Sequence, residues 1–150
     1  MILRDAGAAD VEFVVGLVPR FVENGVAGGH TRAEVIDGTS RVLREALQHP
    51  QRGDVFLIAE DERGEPAGFV YAVTHRDFFT GERYAHVSEI ATARSGAGTG
   101  GELMAAVERW ARDRGYRMMT LNVVDDNEPA QRFYERRGYE LGHRHYVKRL

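Results

Sequence analysis

At 150 residues with 43% apolar side chains, the chain has the length of one domain and enough nonpolar surface for one core. Charged residues make up 29% and are spread along the chain, which excludes a disordered polyelectrolyte, and a net charge of −3 argues against nucleic acid as a partner. Cysteine is absent, so disulfides, thiolate nucleophiles and cysteine-bound metals are excluded.

In chain order, Ile2 to Arg4 reads as a short strand. Asp10 to Val22 carries apolar residues at helical spacing, and Pro19 is expected to bend or break that helix. The glycine-rich stretch from Asn24 to His30 reads as a loop. Thr31 and Glu34 form a capping box, in which each side chain bonds the other's backbone N–H, and open a helix to Gln48. Val55–Glu60 and Ala67–Thr74 read as strands separated by a turn at 61–64. A hairpin connection over Arg76–Arg83 leads to a third strand, Tyr84–Thr92. A helix follows from about Gly100 to Arg114, with Gly115 as its C-terminal stop. Met118–Val124 reads as a strand. Pro129 opens a short helix that Gly138 ends, and Tyr139–Val147 reads as a last strand.

No repeat, low-complexity tract or linker interrupts this order, so a single domain over residues 1–150 is expected. The N-terminus shows no basic stretch followed by an apolar run, and no segment has the length of a membrane span; the expectation is a cytoplasmic protein without a membrane partner. Helix-linked strands should pair in parallel and hairpin-linked strands antiparallel. The expected fold is therefore α/β (α+β), a mixed, mostly antiparallel sheet of six to seven strands with helices on both faces. The basic run Arg136, Arg137, His143, Arg144, His145, Lys148 and Arg149 is read as a solvated face. His143 and His145 alone are poor grounds for a metal site, and none is expected.

The segment from Arg94 to Gly101 sits between a strand and a helix and holds four glycines between Gly96 and Gly101. The first N–H groups of a helix lack internal acceptors and carry partial positive charge, while glycines allow close backbone approach. Together they suit a phosphate. Which phosphate is open at this point. A Walker loop is set aside because Gly101 is followed by Glu102 and Leu103 rather than by Lys and Ser or Thr. Gly96, Gly98 and Gly101 also match the dinucleotide pattern G-x-G-x-x-G, but the acidic residue ending the next strand, Asp125, lies 29 positions after Gly96 rather than about 20.

Downstream, Asn127, Ala130, Phe133, Tyr134, Gly138 and Tyr139 fall in the spacing N-x-x-A-x-x-F-Y-x-x-x-G-[FY]. This resembles the signature of the GNAT superfamily of acyl-CoA N-acyltransferases. The glycine turn is similar to that family's [QR]-x-x-G-x-[GA] motif, with Gly98 and Gly100 in the glycine positions and Leu103 as the helix-packing leucine. The two motifs span roughly residues 88 to 140. Two departures stand out. Ser95 occupies the Gln/Arg position, with Arg94 one place earlier, and the loop after Thr92 is about two residues shorter than usual.

The resemblance implies acyl transfer from acetyl-CoA, the donor substrate, to a primary amine. It implies backbone N–H donors for the pyrophosphate from Ser95, Gly96, Ala97, Gly98, Thr99, Gly100 and Gly101, with added charge from Arg94. The pantetheine arm is expected along Ile90, Ala91 and Thr92, where a backbone N–H would also meet the oxyanion. Asn127 matches a cofactor-arm contact as well as a helix cap, and Tyr134 matches the general acid and lies against the cofactor. Phe133 is assigned to packing.

The attacking amine must be neutral. A lysine-like amine with pKa about 10.4 costs roughly 4–5 kcal/mol to deprotonate at neutral pH, whereas an α-amine near 7.8 costs about 1 kcal/mol. Glu89 and His86 are the candidate bases. Strand residues alternate, so the two should face opposite ways, and Glu89 is preferred. Substrate contacts are expected from Glu23, His30, Tyr71 and Tyr84, with Asp77 and the Phe78–Phe79 hairpin nearby and Asn122 a weaker polar candidate. The acceptor is a small-molecule amine or a protein or peptide amine, and a homodimer is the family-level expectation. The alternatives are a non-catalytic acyl-CoA-binding module and a dinucleotide-binding domain.

Overall fold

The computed structural model describes all 150 residues. Strand β1 (Ile2–Asp5) precedes helix α1 (Val11–Gly16), which single 3-10 turns at Ala8–Asp10 and Val18–Val22 flank. Helix α2 (Arg32–Gln48), strands β2 (Val55–Glu60), β3 (Pro66–Arg76) and β4 (Arg83–Thr92), helix α3 (Thr99–Asp113), strand β5 (Met119–Leu121) and helix α4 (Glu128–Arg136) follow. The five strands lie in sequence order in one sheet, antiparallel from β1 to β4 and parallel between β4 and β5. This is an α/β arrangement with one mixed sheet.

Local chemistry explains most boundaries. The Thr31–Glu34 capping box forms in both directions, with Glu34 N donating to Thr31 Oγ1 at 3.1 Å and Thr31 N to Glu34 Oε1 at 2.8 Å. Pro19 cannot donate a backbone hydrogen bond, and the Asp10–Val22 periodicity accordingly splits into α1 and a tighter turn beyond it. Between these segments and β2, Arg4 pairs with Glu60 and, through two bonds of 2.8 and 2.9 Å, with the nearly buried Asp10.

Each face of the sheet has its own core. Val14, Val18, Leu43 and Leu47 from the first helices cover Ile58, Phe69 and Tyr71. Leu103, Met104 and Val107 of α3 cover Ala59, Val70, Ala72 and Val87 on the other face. Alternate residues of β3 therefore enter opposite cores, which is why that strand reads as a nearly continuous apolar run. α3 approaches β3 closely at Gly68, where a Cβ would lie 2.9 Å from Ala91 O and 3.0 Å from Thr99 Cγ2.

The sheet has five strands rather than six or seven. Residues 139–147 form no ladder, because β5 pairs over only three residues and offers them no developed edge. Instead the segment reaches the loop after α1: Arg149 Nε donates to Gly29 O at 3.1 Å, and a Cβ at Gly28 would touch Val147 at 3.7 Å. Strand-like alternation without a partner strand does not make a strand. Nor is the basic run uniformly solvated. Arg137 folds inward against Glu108 of α3 at 3.3 Å, whereas Arg136, Arg144 and Lys148 are exposed.

Candidate active site

The site starts from a bulge. β4 pairs with β3 along its whole length, but the register jumps so that Tyr71 faces Glu89 while Ala72 faces Val87, leaving Ser88 as the extra residue. β4 pairs with β5 only over Ala85–Val87. Past the bulge the two parallel strands part, and the edge of β4 from Ser88 to Thr92 has no partner strand on that side. A bulge increases local twist and bends its strand, which is the physical reason for the parting. The free edge is a backbone surface that an extended ligand arm can line.

The bulge also overturns the expected alternation of His86 and Glu89. His86 pairs with Val73 and Glu89 with Tyr71, and both partners belong to the core under α1 and α2. The extra residue restores parity, so both side chains lie on the same face. Glu89 has its pKa raised to about 7, and burial is the cause. His86 Nδ1 lies 2.7 Å from Thr120 Oγ1, and its ring stacks on His75 at 5.0 Å. Burial first, and then the neighbouring His75, hold its pKa down.

Tyr134 comes from the opposite face. α4 starts at Asn127, whose side-chain oxygen accepts from Ala130 N at 3.2 Å, and Pro129 occupies its first turn. This start aims Phe133 and Tyr134 at the core under α3. The Tyr134 ring meets Phe133 at 5.1 Å and Tyr139 at 5.8 Å, both edge-on. Burial raises its pKa to about 12, the Glu89 carboxylate adds to the rise, and Arg137 opposes it. Glu89, on the length of β4 that β5 leaves unpaired, and Tyr134, packed against the core on the other face, are close enough for the Glu89 charge to act on the phenol.

At the end of β4 the glycine turn forms the second half of the site. Gly96 and Gly98 have φ of 78° and 79°, a left-handed backbone that only glycine adopts freely. Gly98 is the N-cap of α3 and has no side chain to cap it, so the N–H groups of the first helical turn remain open to an outside acceptor. A Cβ at Gly100 would lie 3.7 Å from Phe133 Cζ and 3.9 Å from Thr92 Cγ2, so this turn packs on both α4 and the strand end. Ser95 to Ala97 are exposed, and Thr99 is buried. The open N–H groups and the lack of bulk fit an anionic phosphate.

The remaining expected residues are dispersed. Tyr71 is nearly buried, stacks on Phe56 and donates from its hydroxyl to Asp54 at 2.8 Å. Tyr84 meets His75 edge-on at 5.8 Å, toward the hairpin end of the sheet. Glu23 is exposed, its carboxylate 3.9 Å from Arg20. His30 is exposed and contacts Gly28 O at 3.0 Å through Nδ1. Asp77 accepts from Thr80 within the hairpin and so organises that turn. Arg94 is exposed. Sequence reasoning missed Arg20, which reaches the glycine turn from the segment after α1. A lone arginine in an amphipathic helix gives no signal of such a contact.

The model for acetyltransferases of the GNAT family matches residues 29–139, a span that includes the bulged strand, the glycine turn and α4. The chain belongs to this GNAT family. An uncharacterized N-acetyltransferase of Bacillus subtilis, YhfO, is 28% identical to it over 97% of this chain and 95% of that protein. A Pyrococcus furiosus protein assigned as an acetyl transferase shares the fold at a TM-score of 0.78 and 27% identity, with 99% of each chain covered. The fold also recurs in AAC(6')-Iy, solved with a CoA bisubstrate analogue, at a TM-score of 0.70 and 20% identity over 99% of this chain and 97% of that one. The structure contains no cluster of acidic and histidine side chains able to hold a metal ion and no helix long and apolar enough to cross a membrane.

Proposed function

We propose that the protein transfers an acetyl group directly from acetyl-CoA to a primary amine, with Glu89 as general base and Tyr134 as general acid. The observation that carries this reading is the parting of β4 from β5 after Val87, which leaves Glu89 on the free length of β4, with its charge felt by the buried Tyr134 phenol. The free edge of Ile90, Ala91 and Thr92 receives the pantetheine arm, and a backbone N–H there meets the oxyanion. The pyrophosphate sits on the N–H groups from Ser95 to Gly101, while Asn127 supplies a side-chain amide to the arm. The presence of a CoA analogue in the same fold of AAC(6')-Iy supports this donor.

The amine enters on the α1–α2 face, over Tyr71 and between Tyr84 and the loop that carries Glu23 and His30. Glu89 takes its proton, directly or through water. The nitrogen bonds to the acetyl carbon, the carbon–sulfur bond breaks, and the Tyr134 phenol protonates the departing sulfur. A phenol held near 12 remains protonated at neutral pH, so its O–H stays available to donate to the charge that develops on the departing sulfur.

A thiol-release assay with acetyl-CoA and a panel of amines tests this reading: small polyamines, aminoglycosides, free amino acids and peptides with free N-termini. Turnover with at least one amine and its loss in Tyr134→Phe are expected. CoA binding without thiol release for any amine would instead favour an acyl-CoA-binding module.

A further inference from the structure

Arg20 stands in the 3-10 turn Val18–Val22, far in sequence from the glycine-rich segment. Val18 and Val22 on either side of it are buried, so the backbone that carries it is fixed to the core. Its guanidinium crosses to the end of β4. Nη1 donates to Ala93 O at 2.7 Å, and Nη2 donates to Ser95 Oγ at 3.3 Å. Ala93 N is itself held by Ala67 O at 2.8 Å, so the arginine grips the first residue beyond the strand, where the chain turns into the glycine loop. Two of the five guanidinium donors are used in this way, and the nearest carboxylate, Glu23, stands 3.9 Å from Nε, beyond hydrogen-bond distance.

The contact falls on the one position where the glycine motif departs from the pattern it resembles. That pattern has Gln or Arg where this chain has Ser95, and here the Ser95 hydroxyl receives an arginine from another segment. A guanidinium at this place does two things. It fixes the loop in its turned form before a ligand arrives, which lowers the ordering cost of binding. It also places a permanent positive charge, with spare donors, beside the open N–H groups of α3.

We infer that Arg20 is the positioning residue and auxiliary cation of the pyrophosphate loop, supplying from the α1 segment the charge that Ser95 does not. This rests on the acetyl-CoA reading above. Its hydrogen bonds go to Ala93 and Ser95, beyond the end of β4, so its role is in holding the cofactor and not in the transfer step.

The test is calorimetric titration of CoA into the wild-type chain, Arg20→Ala, Arg20→Gln and the double variant Arg20→Ala with Ser95→Arg, each checked for folding by circular dichroism. Arg20→Ala should weaken CoA binding about tenfold, a loss of ~1.4 kcal/mol. Arg20→Gln retains a donor without the charge, should weaken binding by about as much, and carries the test if the alanine variant misfolds. Ser95→Arg in the Arg20→Ala background should restore affinity to within about threefold of wild type. In turnover assays, KM for acetyl-CoA should rise in Arg20→Ala while kcat at saturating donor stays within about twofold. Wild-type binding of CoA with unchanged affinity in both single variants overturns this inference alone. Failure of Ser95→Arg to recover any affinity overturns the substitution argument. A wild-type chain that binds no CoA overturns the acetyl-CoA reading, and this inference falls with it.

Discussion

The Glu89 carboxylate acts on the Tyr134 phenol: burial lifts the phenol to about 12, and the charge of Glu89 contributes to that rise. Glu89 therefore favours the protonation state that the proposed transfer requires of Tyr134. Ionised Glu89 keeps Tyr134 protonated, and protonated Tyr134 adds no negative charge beside the base.

Tyr134→Phe removes the acid and keeps the ring. The ring's edge-on contacts with Phe133 and Tyr139 do not need the hydroxyl, so the melting temperature should change little. The turnover number should fall by about 10²- to 10³-fold with KM for acetyl-CoA nearly unchanged, since the lost proton transfer acts only in the transition state. Steady-state kinetics on the variant checks this; an unimpaired kcat would remove Tyr134 from the chemistry.

Glu89 sets the pH dependence. With its pKa raised to about 7 by burial, the carboxyl is protonated and inactive as a base at pH 6 and ionised at pH 8. A plot of kcat/KM against pH should rise through about 7, and Glu89→Gln should lower the rate and abolish that limb. Stability runs the other way. The folded pKa lies above the unfolded one, so the contribution is fully present below about 4.3 and is lost as pH rises through about 7. Glu89→Gln should therefore leave denaturant stability unchanged at pH 4 and raise it by on the order of 2 kcal/mol at pH 8.

Asp10 gives the opposite sign. Its pKa is lowered, chiefly by the hydrogen bonds from Arg4. The stability it contributes is present above its unfolded pKa of about 3.9 and is lost as pH falls through the lower folded value. Asp10→Ala leaves Arg4 with Glu60 as its one carboxylate partner and should cost ~2 kcal/mol at pH 7, less than for a fully buried pair because Arg4 is partly exposed. Urea titrations should show the gap between wild type and variant narrowing below pH 4.

Gly68 allows α3 to approach the sheet. A methyl group there would stand 2.9 Å from the Ala91 carbonyl, a backbone contact that only a shift of the strands can relieve, and 3.0 Å from Thr99 Cγ2 at the start of α3. Gly68→Ala should destabilise the protein by about 1–3 kcal/mol in urea and, by displacing the start of α3, weaken CoA binding as well. An unchanged unfolding midpoint would show that α3 can shift freely.

Most of the fold was legible in local pattern. The Thr31–Glu34 capping box, the apolar runs of β2 and β3, and the glycines after α3 and α4 act through neighbours a few residues away, and each produced its element within a residue or two of expectation. The last strand failed because its alternation from Tyr139 needed an edge that the short β5 does not provide. Arg137 was misjudged for a similar reason. Nothing within four residues of it reveals that Glu108, on another helix, draws it inward.

The sequence by itself determined the chemistry available to this protein: Asn127, Ala130, Tyr134 and Gly138 at fixed spacing placed it in its family, and the glycines from Gly96 to Gly101 marked a phosphate-sized helix start. Those are properties of one helix or one turn, set by side chains close along the chain. Only the tertiary structure decided the arrangement of that chemistry. The bulge at Ser88 appears where β4 is held against β3 and parts from β5, and it turns His86 and Glu89 to one face where plain alternation would have separated them. Arg20 meets Ala93 and Ser95 only because the α1 segment packs across the end of the sheet. Register and long-range approach depend on how whole elements pack, and no window of the sequence carries that information.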